Sequence, residues 1–254
     1  MTTAPKSPNR NTPSRSDVAT YIVNVAANSQ HPARARLRSD GSFDFLPIPE
    51  DVVGSSPMLS YADIPALASL VPPSWRRRAV HLDPDLLSMQ TTYGDNCSRI
   101  PRAFALRRAQ AGDSIVFVAR LHAPDGTPGF YLVGKLEITA ILKEVKSDPG
   151  PGWWDGNAHI RRGRALGRWD AFSVFKGGPN SGLLAQAVPF ERAQAEAVFG
   201  PDWDWNSSQT HLQVIGAHTR SVRRLEGEAA QTLLSLTSGP LRPLEKTEME
   251  PMAR

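Results

Sequence analysis

The apolar positions of this chain change period repeatedly, and the changes outline its elements. Tyr21-Ile-Val-Asn-Val-Ala-Ala27 is an almost unbroken apolar run, the pattern of a buried strand. Phe43 to Pro49 alternates apolar residues but carries two prolines, which restricts it to an edge strand or an extended loop. Tyr61 to Val71 reads as a short helix with Pro65 near its first turn, ended by Pro72-Pro73. Pro101 to Ala111 has a proline start and apolar Phe104 and Leu106, and predicts a helix.

Ser114 to Leu121 and Phe130 to Ile138 are strand patterns joined by His122 to Gly129, whose Pro-Asp-Gly and Pro-Gly steps are turn chemistry; together they predict a hairpin. Trp169 to Phe175 reads as a further strand, leading into the loop Lys176-Gly-Gly-Pro179. Ser181 is expected to cap a short helix through Ala187. Phe190 to Phe199 predicts a helix stopped by Gly200-Pro201, Leu212 to Gly216 a short strand, and Glu226 to Thr237 a last helix. Strands and helices alternate irregularly around one meander. The expected fold class is α+β: one domain over 18–237, with a curved, mostly antiparallel sheet or partial barrel flanked by short helices. Residues 1–17 are expected to be a disordered tail and 238–254 a flexible one.

Composition adds to this picture mainly by exclusion. The single cysteine, Cys97, removes any intramolecular disulfide framework and any multi-cysteine zinc site. No stretch approaches the ~20 apolar residues that span a bilayer, and the N-terminus lacks an apolar signal core. A cytoplasmic location is the expectation. The formal net charge of +4 is small, so its distribution matters more than its size.

The positive charge gathers in a basic, glycine-rich stretch from Asn157 to Pro179. Asn157-Ala-His159-Ile-Arg161-Arg162-Gly-Arg164 packs an amide, an imidazole and three guanidinium groups into eight residues. Arginine forks suit phosphates and base edges, and amides pair with base edges. Trp153, Trp154 and Trp169 flank the block, and aromatic rings stack on unpaired bases. The alternative reading is a solvated basic loop beside core tryptophans. Lys176-Gly177-Gly178-Pro179 joins a strand to an expected helix start, where glycines let backbone N–H groups approach an anion.

Asn24, Asn28, His31, Arg34, Arg36 and Arg38 follow the first strand, a common position for ligand contacts. Tyr93-Gly94-Asp95 forms a further polar turn, with Asp95 the leading carboxylate there. Candidate base or nucleotide contacts are therefore Asn24, Asn28, His31, Arg36, Arg38, Tyr93, Asn157, His159, Arg161, Arg162, Lys176, Gly177 and Gly178. Asp95 and His159 are the candidates for acid–base work, with Glu50 beside them. Gly129 to Lys135 mimics a phosphate-binding loop, but Leu136 stands where a Ser or Thr must meet magnesium, and the segment is strand-like. No Gly-x-Ser-x-Gly elbow occurs, the six histidines show no His-x-x-x-His pair, and no spacing calls for a metal or cofactor.

Taken together, Ile22–Asn28, Leu37–Glu50, Tyr93–Asp95, the hairpin Gly112–Ile138, Asn157–Arg161, Phe175–Pro179 and Ala187–Phe190 resemble the bacterial and phage nucleotide modification associated domain family, type 3. The likeness runs from about Tyr21 to Leu225. It implies an α+β domain associated with systems that modify DNA bases. Gly112-Asp113-Ser-Ile-Val-Phe-Val and Leu132-Val-Gly134 are also similar, at fold level, to PUA-like modules of the EVE and ASCH kind, small barrels that hold a flipped base. Three functions follow as expectations: a binding domain for DNA or a nucleotide with a modified base, an enzyme acting on a nucleotide or base, or a protein-interaction subunit of such a system. Other proteins of a modification system are expected partners, and a membrane is not.

Overall fold

The run Tyr21–Val25 is apolar because both faces of its strand are covered. In the computed structural model, which describes residues 18–243 apart from 89, 202 and 206, β1 spans Thr20–Val25 and lies inside a seven-stranded sheet. The expected tail over 1–17 and positions 244–254 lie outside the described residues. Tyr21, Val23 and Val25 join Ile115, Phe117 and Ala119 in one core, while Ile22 joins Val116, Val118 and Leu132 in a second core on the opposite face. This is the period-two division expected of a sheet buried on both sides.

In chain order the remaining strands are β2 (Ile48–Val53), β3 (Arg78–His81), β4 (Thr92–Asp95), β5 (Ser114–His122), β6 (Pro128–Val145), β7 (Phe172–Gly177), β8 (Gly182–Pro189) and β9 (Arg223–Leu225). The main sheet runs β4-β7-β6-β5-β1-β9, with β8 also on β6; β2 and β3 form a separate antiparallel pair. The hairpin is β5–β6, in register from Ser114↔Glu137 to His122↔Pro128. Among the pairings of the described strands one is parallel, β1 with β5. The sheet is curved and mostly antiparallel and is flanked by short helices, but it is not closed into a barrel.

The helices are α1 (Pro65–Ala68), α2 (Ala158–Leu166), α3 (Arg192–Phe199), α4 (His211–His218) and α5 (Gly227–Leu236). Side chains of the last three cover the second core through Ala195, Val198, Ile215 and Leu233. A third, smaller core of Val145, Ile160, Phe172 and Val174 sits under α2, packed by Trp153, Trp154 and Trp169.

Several local expectations are corrected. Ser181 caps no helix: its Oγ accepts from Glu137 N at 2.9 Å, and Gly182–Pro189 is a strand. Leu183 and Leu184 enter opposite cores, so the segment has period two. β7 and β8 lie along the same edge of β6, interrupted between Gly177 and Gly182. Leu212–Gly216 is not a strand but part of α4. There Thr210 Oγ1 accepts from Gln213 N, and Gln213 Oε1 accepts from Thr210 N, a reciprocal cap.

The basic block after Asn157 is helix α2 rather than a loop. Asn157 caps its start, and Gly167 ends it in the left-handed conformation at φ 67°. Pro101–Arg108 is helical but wound as a 3-10 helix. Beyond α5 the chain returns to the sheet: Leu241 bridges Leu184, and Arg242 N donates to Leu183 O at 2.7 Å.

Candidate functional site

The parallel pair creates a natural opening. Beyond the carboxyl ends of adjacent parallel strands, chain leaves the sheet and polar side chains gather. A cleft of about 1170 Å³ lies there, large enough for a nucleotide. Its walls come from the loop after β1, from the β2–β3 pair, from β4, from α2 and from α4 with the loop before it.

The floor is a knot of buried polar groups. His81 ends β3 and Asp83 follows two residues later; the intervening Leu82 enters the main core. Both Asp83 carboxylate oxygens accept from Gly94 N, at 2.8 and 2.9 Å. Asn157 Nδ2 donates to Thr92 Oγ1 at 3.2 Å and to Asp83 Oδ2 at 3.4 Å, while its Oδ1 accepts from His159 N at 3.0 Å. One amide thus fastens α2 to β4 and to the floor. Gly94 has to be glycine, since a Cβ there would stand 2.7 Å from His159 Cδ2 and 2.8 Å from Asp83 Oδ2.

His159 Nε2 lies 3.4 Å from Asp83 Oδ2, and its ring meets the His81 ring edge-on with centroids 4.9 Å apart. His81 Nδ1 lies 2.7 Å from Glu50 Oε1. Arg162 Nη2 is 3.3 Å from His159 Nδ1, and the Arg162 head also lies within 3.8 Å of Glu50 and 3.4 Å of Asp170. Burial holds the Asp83 carboxyl well above the usual carboxylate range. Burial, with His81 and Arg162 nearby, holds His159 well below the usual imidazole range. Glu50 moves the other way: burial works to raise it, but the hydrogen bond and charge of His81 and the charge of Arg162 outweigh burial and lower it. His81, Asp83 and His159 present one potential metal-ligand atom each, all within 4.8 Å of one another.

Of the residues singled out from sequence, Asn24, Asn28, His31, Glu50, Tyr93, Asp95, His159 and Arg162 line this cleft. Their roles differ. Asn24 Nδ2 donates to Thr219 Oγ1 at 3.1 Å, joining β1 to the end of α4. His31 Nδ1 accepts from Asn28 N at 3.0 Å, and burial lowers its basicity. Tyr93 is no stacking platform: its ring packs between Phe117 and Phe175, and its hydroxyl donates to Asp95 Oδ2 at 2.7 Å.

The other candidates point elsewhere. Asn157 is fully buried and its amide is committed to the fold. Arg161 is held near Asp85, away from the cleft lining. Arg36 and Arg38 are exposed, Arg38 on Asp44. Lys176 Nζ lies 5.8 Å from the Trp153 ring centroid. The expected anion cradle at Gly177-Gly178 has spent its donors, because Gly177 N donates to Thr91 O and Gly178 N to Glu137 O. The tryptophans flanking the basic block are packing residues of the third core.

Several cleft residues escaped the sequence reading: His81, Asp83, Asn96, Arg120 and Arg220. The His81-Leu-Asp83 spacing carried a usable signal, since residues two apart on a strand share a face. Among the described residues, the buried Asn96 Oδ1, Arg120 Nε and Arg162 Nε find no hydrogen-bond partner within the chain, and all three residues line the cleft. Buried polar atoms are nearly always paired, so each unpaired one calls for an explanation.

Comparison with curated proteins and with solved structures finds no match. A family model does match, over residues 21–232, and that span contains every element lining the cleft. The chain belongs to the nucleotide modification associated domain 3 family.

Proposed function

We propose that the cleft binds a nucleotide, or a single base displayed from a nucleic acid, within a base-modification system. The family supports the general role in nucleotide modification. The observation that carries the finer reading is that three residues lining one cleft, Asn96, Arg120 and Arg162, each carry a buried polar atom (Oδ1, Nε and Nε) with no hydrogen-bond partner in the chain. Arginine donors suit phosphate and amides suit base edges. The cleft also balances four arginines, Arg102, Arg120, Arg162 and Arg220, against four carboxylates, Glu50, Asp83, Asp95 and Asp170. That mixture fits an enclosed polar ligand better than a duplex backbone, which calls for a continuous basic track.

The test is titration calorimetry with mononucleotides and short single-stranded oligonucleotides carrying ordinary and modified bases. Arg120→Ala is expected to weaken binding at least tenfold, because a charged hydrogen bond contributes about 1.5–3 kcal/mol. Lys176→Ala, outside the cleft, leaves binding unchanged. Equal affinity for both variants, or loss on Lys176→Ala alone, refutes the assignment. One observation favours a catalytic second reading: Asp83 and His159 touch at the floor with their proton affinities displaced in opposite directions, as in acid–base pairs. Asp95, buried and bonded to Tyr93, stands beside them. Mass spectrometry of a modified oligonucleotide after incubation decides between binding and turnover. Abolition of turnover by Asp95→Asn with binding spared assigns Asp95 the acid–base role expected from sequence.

A further inference from the structure

We infer that His81, Asp83 and His159 form a binding site for one divalent first-row transition-metal ion at the floor of the cleft. Two imidazoles and one carboxylate are a ligand set that zinc, cobalt or iron accepts, with the remaining coordination positions left open. The three donor atoms lie within 4.8 Å of one another, come from β3, the segment after it and α2, and belong to residues lining the cleft. The open positions therefore face the space assigned to the ligand.

One of the three spacings, that between His159 and Asp83, suits a metal better than it suits a hydrogen bond. Ligands ~2.1 Å from an ion at tetrahedral angles stand about 3.4 Å apart. His159 Nε2 and Asp83 Oδ2 stand 3.4 Å apart, long for a charged hydrogen bond. The surroundings orient the ligands as metal sites require. Glu50 Oε1 sits 2.7 Å from His81 Nδ1, a contact that, with His81 neutral and donating from Nδ1, would leave Nε2 to meet an ion. Two bonds from Gly94 N fix the Asp83 carboxylate. His159 is fixed through the Asn157 cap.

One contact must change on loading. Arg162 Nη2, 3.3 Å from His159 Nδ1, suits a proton on Nε2. Metal capture at Nε2 moves the proton to Nδ1, and Arg162 then turns fully to Asp170 and Glu50, which already lie at 3.4 and 3.8 Å.

The site shares the cleft with the proposed nucleotide pocket but is tested without nucleotide, so the two readings fail separately. The full chain is stripped with EDTA and titrated with Co²⁺, reading visible ligand-field bands, and with Zn²⁺ by calorimetry. One equivalent per chain is expected. His81→Ala, at the partly exposed end of a strand, should abolish the bands, and Glu50→Gln should weaken affinity about tenfold or more. His211→Ala, outside the cleft, leaves both unchanged. Thermal melting checks that each variant folds, and His81→Gln, closer in volume, must show the same loss. No bands in the wild-type chain, or binding that survives both His81 variants, overturns the proposal and leaves the Asp83–His159 contact as a proton-sharing pair.

Discussion

Asn157→Ala separates two accounts of the same residue. As a reader of a base edge, its loss would weaken binding and leave stability alone. The structure assigns it to the fold: a fully buried amide that accepts from His159 N and donates to Thr92 Oγ1 and Asp83 Oδ2. Losing the helix cap costs about 1 kcal/mol. Losing two neutral-donor bonds, both long, costs about 1–2 kcal/mol more. The sum of about 2–3 kcal/mol corresponds to a fall in Tm of about 5–10 °C for a domain of this size. Urea unfolding followed by circular dichroism should show a lower midpoint with an unchanged slope.

Two further variants at this position sharpen the test. Asn157→Ser restores the capping oxygen and should recover about 1 kcal/mol. Asn157→Asp also keeps a capping oxygen but replaces the donor with a carboxylate beside Asp83, so at neutral pH it should be less stable than the serine variant. An unchanged midpoint in Asn157→Ala together with lost nucleotide binding would refute this account and return Asn157 to the ligand.

Gly94→Ala should destabilise the chain by about 1–3 kcal/mol in the same urea assay, since its Cβ would press on His159, Asp83 and Asn157 at 2.7–3.0 Å; it should also weaken Co²⁺ binding, and a fold and site left intact would show that the floor yields easily. Cys97 is buried and burial pushes its thiol up to about 12, so below that pH the thiolate that reacts is scarce. Ellman's reagent at pH 8 should label it in urea and not in the native chain; rapid native labelling would contradict the packing described here.

The fold was legible where a signal was local. Turn residues at Pro124-Asp-Gly126 and the apolar run Ile115–Ala119 suffice to predict the β5–β6 hairpin, because its pairing partners are near in sequence. Gly182–Pro189 was misread because a serine before a mixed segment looks like a helix cap until the partner strand is known. Its strand form comes from β6, which pairs with it through Lys135↔Gly182 and Leu132↔Val188. The α4 segment held a readable cap in Thr210 and Gln213, yet a five-residue apolar window is too short to separate period 2 from period 3.6.

The site follows the same logic. The arginine block drew attention because charge density is visible in one dimension, but a helix distributes its residues around an axis. Arg162 and His159 therefore reach the cleft while Arg161 turns toward Asp85. The floor has no such density to betray it. Asp83 and Asn157 meet across a separation of 74 residues, and His81 with Asp83 is an unremarkable pair until β4 supplies Gly94 and α2 supplies His159. What makes these ordinary residues a candidate centre is burial, which removes water as the partner of each polar group and leaves only one another or a ligand. That condition is created by the packing of three separate segments, and for that reason chemistry assigned by counting charges along the chain fell one helical face away from the place where the structure concentrates it.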